Sequence, residues 1–178
     1  IRAEVLFEDY FSNESQSILN WAPLINDGGS ISYSGGCAAI DNSGSANSAM
    51  AIHNMSLKPS DFTFSGRVVT DDPGAGIIFC LNRSGGGISG CAVVTGEGGV
   101  YAYKYSPGTL SELYSESSPF VRKKDNLISV SKKRERMTVF CNGYFVFTFI
   151  DSAYNTGDIG FLVQPYTSAN FDSIQYRE

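Results

Sequence analysis

Arg136–Phe161 reads RMTVFCNGYFVFTFIDSAYNTGDIGF, and its periodicity decides the fold. Met137, Val139 and Cys141 alternate with Thr138 and Phe140, the period of a half-buried strand. Asn142-Gly143 then supplies two residues that tolerate positive φ, as a tight type I′ hairpin requires. Tyr144 to Ile150 returns as an aromatic and β-branched run. Asn155-Thr156-Gly157 breaks it before a third strand, Ile159 to Val163. This is an antiparallel meander, and it names no chemistry.

Outward from that block the same grammar continues. The charged turn Lys132–Arg136 follows a strand at Asn126–Ser131. Asp61–Thr70 alternates cleanly, with Phe62, Phe64, Gly66 and Val68 on one side and Thr63, Ser65, Arg67 and Val69 on the other. Gly76–Asn82 and Gly90–Thr95 flank a glycine-rich tip, and Glu97-Gly98-Gly99 turns the chain into Val100–Tyr105. Ser111–Pro119 carries no clear period.

Nearer the start, Ala3–Phe11, Ser30–Tyr33, Cys37–Ile40 and Ala49–His53 read as strands. Ser12–Asn20 is either loop or a short helical turn. Phe171–Tyr176 closes the chain and pairs near the first strand. About a dozen strands at roughly 8–12 residue spacing predict an all-β, two-sheet antiparallel jelly-roll sandwich, one domain over residues 1–178.

A formal charge of −5 argues against nucleic acid or an anionic membrane as partner. No apolar run reaches the roughly 18 residues of a spanning helix, so no membrane insertion is expected. Opening at Ile1 fits either a processed export product or an excised domain. The Asn-x-Ser sites at Asn13, Asn54 and Asn82 matter only where the source glycosylates.

Several pieces taken together carry a resemblance. They are FEDYF (7–11), Trp21 after a polar loop, DFTFSGRV (61–68), GIIFCLN (76–82), GGVYAYKY (98–105), residues 126–161 and FDSIQY (171–176). In that order they resemble the concanavalin A-like lectin/glucanase superfamily, nearest its laminin-G-like jelly rolls of bacterial secreted and cell-surface proteins. The resemblance implies two curved sheets, with sugar bound on the concave face or at the loop edge. It does not choose among lectin, glycosidase and lyase.

Glucanases of that superfamily carry Glu-x-Asp-x-x-Glu on one strand, which places both carboxyls across the scissile bond. No such run is present. Glu8-Asp9 would point to opposite faces, and Glu112 and Glu116 sit in a serine-rich stretch. For lyase chemistry the candidates are His53 and the Tyr101-Tyr103-Lys104-Tyr105 strand, without the lyase motifs. No Gly-x-Ser-x-Gly elbow marks a nucleophile. The expectation is no catalytic residue.

Tyr101, Tyr103 and Tyr105 share one face of a strand and could stack on pyranose rings. Lys104 on the opposite side reads as the wet face, which favours placing the tyrosines in the core. The expected concave-face ligands are then Arg67, Asn82, Arg83, Lys104 and Gln164, with Tyr166 at the rim. Trp21 is either a sugar platform at the loop edge or a core plug. The resemblance further implies a structural calcium shared by the terminal strands, held by Glu8 or Asp9 with Asp172 and supplemented by Asp41 or backbone carbonyls.

An unbroken hairpin centred on Gly85-Gly86 sets Cys80 opposite Cys91, which permits a cross-strand disulfide. Cys37 and Cys141 read as buried thiols. The whole reads as a non-catalytic carbohydrate-binding or adhesion module of a secreted, periplasmic or cell-surface protein, with a polysaccharide or oligosaccharide as partner. The alternatives are a glycoside hydrolase or polysaccharide lyase on the same fold, and a structural protein-interaction domain.

Overall fold

The computed structural model describes residues 4–24, 29–55, 58–84, 87–107 and 109–178. Among the described residues fifteen strands form two antiparallel sheets, accompanied by one short helix. In chain order the elements are β1 (Val5–Asp9), α1 (Glu14–Asn20), β2 (Ala22–Leu24), β3 (Ser30–Ser34), β4 (Cys37–Asp41) and β5 (Ala49–His53). There follow β6 (Phe62–Val69), β7 (Ala75–Ser84), β8 (Gly87–Gly96), β9 (Gly99–Ser106) and β10 (Thr109–Ser117). The chain ends with β11 (Asp125–Lys133), β12 (Arg136–Cys141), β13 (Tyr144–Ile150), β14 (Asp158–Val163) and β15 (Ser168–Arg177).

Sheet I, of eight strands, runs β13-β12-β11-β6-β15-β4-β3, with β1 also paired to β15. Sheet II, of seven, runs β10-β9-β8-β7-β14-β5-β2. The expected jelly-roll sandwich is what the chain forms. Closure of the last strand on the first is realised too, with Asp9 opposite Ile174 and Glu8 opposite Gln175.

The opening block folds as its period dictates. Asn142 and Gly143 take φ of 53° and 84°, the two left-handed residues of a primed hairpin turn. Met137, Val139 and Cys141 are fully buried against sheet II, while Thr138 and Phe140 face outward. Ser12–Asn20 contains the short helix α1, capped by Asn13, whose Oδ1 accepts from the Gln16 amide at 3.2 Å. The unassigned stretch 111–119 lies mostly in β10. As an exposed edge strand it buries almost no side chain, so no apolar alternation marks it.

Between the sheets Trp21 stacks on Phe161 at 4.5 Å, and Phe161 on Phe171 at 4.2 Å. Asp9 accepts from Trp21 Nε1 at 2.9 Å and from the Phe11 amide at 2.7 Å, so the indole enters the core with its polar atom satisfied. Lys132, in the charged turn by sequence, points inward instead and is fully buried. Its ammonium donates to the carbonyls of Ser60 and Arg134, which closes that end of the sandwich.

The hairpin β7–β8 corrects the disulfide expectation. Near its tip Asn82 pairs with Ser89, but beyond a bulge Phe79, not Cys80, faces Cys91. Cys80 adopts φ 52° there, so Phe79 and Cys80 both turn into the core. Gly157 passes so close to the Cys80–Leu81 backbone that a Cβ would collide with it. Both thiols are free and buried, and burial raises Cys80 to about 12. Cys141 is buried as expected, whereas Cys37 is only half-buried and bonds to the Ser34 carbonyl.

Candidate functional site

The central strands of sheet II are buried on both faces. β14 is buried along its whole length, with Ile159, Phe161 and Val163 toward the core and Leu162 outward. On the outer face Met50, Ile52, Ile78, Ala92, Val94 and Leu162 form an apolar floor. Tyr101, Tyr103, Tyr105 and Leu110 stand on that floor at its β9–β10 side. The rings of Tyr101 and Tyr103 lie 18° from parallel with centroids 6.3 Å apart.

A cleft of about 520 Å³ opens there, lined by Leu24, Asn47, Tyr103, Tyr105, Leu110 and Gln164. A hollow of about 260 Å³ adjoins it across Tyr103 and Gln164 and is bordered by Tyr101, Val94 and Glu97. Its far wall is fixed by backbone. Asn42 is fully buried and donates to the carbonyls of Asn47 at 2.8 Å and Gln164 at 2.9 Å. The Gln164 amide donates to Gly74 O at 2.8 Å, and that of Tyr166 to Ser45 O at 3.0 Å. Burial raises the Tyr103 hydroxyl above its ordinary pKa, a bond with Gln164 opposes the shift, and neighbouring Glu112 adds to it.

Aromatic faces beside amide and hydroxyl groups are the chemistry that holds a pyranose ring, C–H face on ring and hydroxyls on polar groups. The hollow at the loop end, about 430 Å³ around Asp71, Asp72, Glu97, Arg122 and Lys123, has no aromatic lining.

The structure distributes the residues singled out in the sequence widely. Gln164 lines the cleft, and exposed Tyr166, at φ 60°, follows Pro165 on its wall. The tyrosine row faces outward and Val100 and Ala102 face the core, the reverse of the assignment drawn from Lys104. Lys104 belongs to the inward side near the strand's end, its Nζ 5.2 Å from the Tyr154 ring centre. A lysine there marks the end of a sandwich rather than its wet face.

Arg67 lies on the outer face of sheet I, with Nε and Nη2 on Asp125 at 2.9 and 2.6 Å and Nη1 on Asp172 at 2.7 Å. Asn82 donates to the carbonyls of Cys80 and Thr156, and Arg83 is exposed beside it. Trp21, 1% exposed, is a core plug and offers no sugar platform. Leu24, Asn47, Tyr103, Tyr105 and Leu110 are lining residues that the sequence did not assign to a site, although both tyrosines sit in the row it displayed.

The three carboxylates read as calcium ligands do not converge. Asp172 is engaged by Arg67, Asp9 by Trp21, Phe11 and Ser17, and exposed Glu8 accepts from Tyr10 at 3.3 Å. Ser43 holds Asp41 down to about 2 through its hydroxyl and amide, with help from Ser168. Among the described residues no three His, Cys, Asp or Glu side chains are grouped to hold a metal. This set does not fit a calcium site.

No family profile and no curated protein matches the chain. Solved structures do resemble it. The carbohydrate-binding module CBM66 from Bacillus subtilis superposes with TM-score 0.69 at 17% identity, covering 89% of this chain and 96% of that one. The legume lectin-like domain from Entamoeba histolytica gives 0.66 at 15%, covering 100% and 99%. The VIP36 exoplasmic/lumenal domain, in a Ca²⁺/Man3GlcNAc-bound form, gives 0.67 at 10%, covering 98% and 89%. The chain therefore has the concanavalin A-like lectin/glucanase fold. No helix among the described residues is long and apolar enough to cross a membrane.

Proposed function

We propose that this chain is a single non-catalytic carbohydrate-binding domain of an exported protein, and that its ligand sits in the tyrosine cleft of sheet II. The observation that carries this reading is the pairing of Tyr103 and Tyr105 with Gln164 around one cleft of about 520 Å³. The fold neighbours support it, since one is a carbohydrate-binding module and another is a Man3GlcNAc-bound domain. An exoplasmic/lumenal domain among them supports export to the cell surface, periplasm or medium. A laminin-G-like adhesion role is consistent with the same site. Calcium, bound in the VIP36 structure, plays no part in a cleft walled by tyrosine, leucine and glutamine.

The test is a glycan array run with Ca²⁺ and again with chelator. Binding to a defined sugar should survive chelation and fall about tenfold or more in Tyr103→Ala and Gln164→Ala. The bound glycan should stay intact by reducing-end assay. Failure to bind any glycan, or binding indifferent to both substitutions, would sink the reading.

One observation favours a second reading, a protein partner. Exposed Tyr144 of the β12–β13 hairpin stacks on exposed Phe120 at 4.0 Å, and its neighbour Phe145, 59% exposed, packs edge-on against Phe140.

A further inference from the structure

We infer that the cleft selects neutral glycans and rejects those bearing carboxylate or sulfate groups. This rests on the carbohydrate-binding reading and goes further by naming the ligand's charge class. The argument is electrostatic and starts from the rim. Glu97 borders the hollow formed by Tyr101, Tyr103 and Gln164. Glu112 stands directly across from Tyr103 in the β9–β10 register, hence on the same face. The tyrosine pair thus lies between two carboxylates.

No lysine or arginine among the described residues lines the cleft or the hollow. Recognition of a sugar carboxylate or sulfate ordinarily draws on an arginine fork or a lysine point charge. Arg122 and Lys123 border Glu97 from the loop-end hollow but line neither the cleft nor the tyrosine hollow. Lys104 lies over Tyr154 on the opposite face of β9, and Arg67 is bound to Asp125 and Asp172 on the other sheet. A sugar carboxylate in the hollow would meet tyrosine rings, the Gln164 amide and the Glu97 carboxylate, with Glu112 across from Tyr103 on the next strand, and like charges repel at low salt. Neutral hydroxyls and C–H faces meet no such penalty, since rings and the Gln164 amide serve them directly.

The experiment uses matched polymers, namely glucan, mannan and galactan, each before and after oxidation of primary hydroxyls to carboxylates, at low salt. The intact domain should bind at least one native polymer. Its oxidised partner should bind at least tenfold more weakly, and the ratio should shrink in the double variant Glu97→Gln/Glu112→Gln and with added salt. Equal or tighter binding to the oxidised polymer overturns the inference and leaves the carbohydrate-binding reading standing. So does a ratio unchanged by both the double variant and salt. Binding to neither form of any polymer overturns the underlying reading and the inference with it.

Discussion

The outer faces of the two sheets are built on opposite principles. Sheet I presents Thr63, Ser65, Arg67, Ser129 and Thr138 to solvent, and its cross-strand charges pair among themselves, Arg67 with Asp125 and Asp172. Sheet II presents Met50, Ile78, Val94 and Leu162, all at most 1% exposed, with tyrosines standing over them. The first face is a solvated exterior. The second is a shallow second core whose open side is aromatic, and that asymmetry locates the candidate site. A face made only to meet water needs no such floor.

The largest effect that could break this comparison comes from the floor itself. Leu162→Ala should cost about 2–5 kcal/mol by denaturant unfolding, whereas Ser129→Ala on sheet I should stay within about 0.5 kcal/mol. Equal costs would mean that the outer face of sheet II is not a core. Next comes the interior the sheets share. Asp9→Ala strips the acceptor from Trp21 Nε1 and the Phe11 amide, and should cost about 1–3 kcal/mol and shift the fluorescence of the single tryptophan.

A smaller effect is pH-dependent. His53, at the end of β5, packs 3.9 Å from the Phe7 ring, and its Nδ1 is buried without a hydrogen-bond partner among the described residues. Burial lowers its pKa below the ordinary value, and Asp158 and Asp9 only partly oppose this. The unfolded chain therefore takes up the proton more readily than the folded one. Stability from this group is complete above about pH 6.5 and declines as pH falls toward the lower folded pKa. Thermal melts of wild type and His53→Phe across pH 5–8 should differ in slope, and parallel profiles would refute the assignment.

The smallest effect belongs to sheet I. Arg67→Ala breaks exposed ion pairs worth about 0–1 kcal/mol and should leave glycan binding unchanged. Loss of binding in that variant would move the site to the other face.

The sequence made these faces unequally legible. Phe62 to Val69 alternates because one side meets core and the other water, so its faces could be assigned residue by residue. Asp158–Val163 is buried on both sides, and a run of that kind reads as a strand without revealing an outward face. For Val100–Tyr105 the alternation was legible but its direction was not. Lys104 suggested a wet side, while small Val100 and Ala102 fit the sandwich interior. Counting pairs from the β7–β8 tip placed Cys80 opposite Cys91, which holds only for an unbroken ladder, and at the bulge Gly157, just before β14, lies close against the Cys80–Leu81 backbone. Gln164 could be singled out from sequence as a polar residue after a strand. The cleft it shares with Asn47, 117 positions away, could not.

The amino-acid sequence by itself determined the all-β class, the primed hairpin at Asn142-Gly143, the closing pair of terminal strands and a net negative charge. Those properties are local or compositional, written in period, turn residues and charge. Only the tertiary structure decided which face of each sheet is outward, that Trp21 is a plug, that the carboxylates near the termini do not converge, and that Tyr103 and Tyr105 border the cleft while Tyr101 borders the hollow beside it. The physical reason is that direction and convergence depend on what packs across from a strand. That partner, tens of residues away in the chain, leaves no period in the strand it covers.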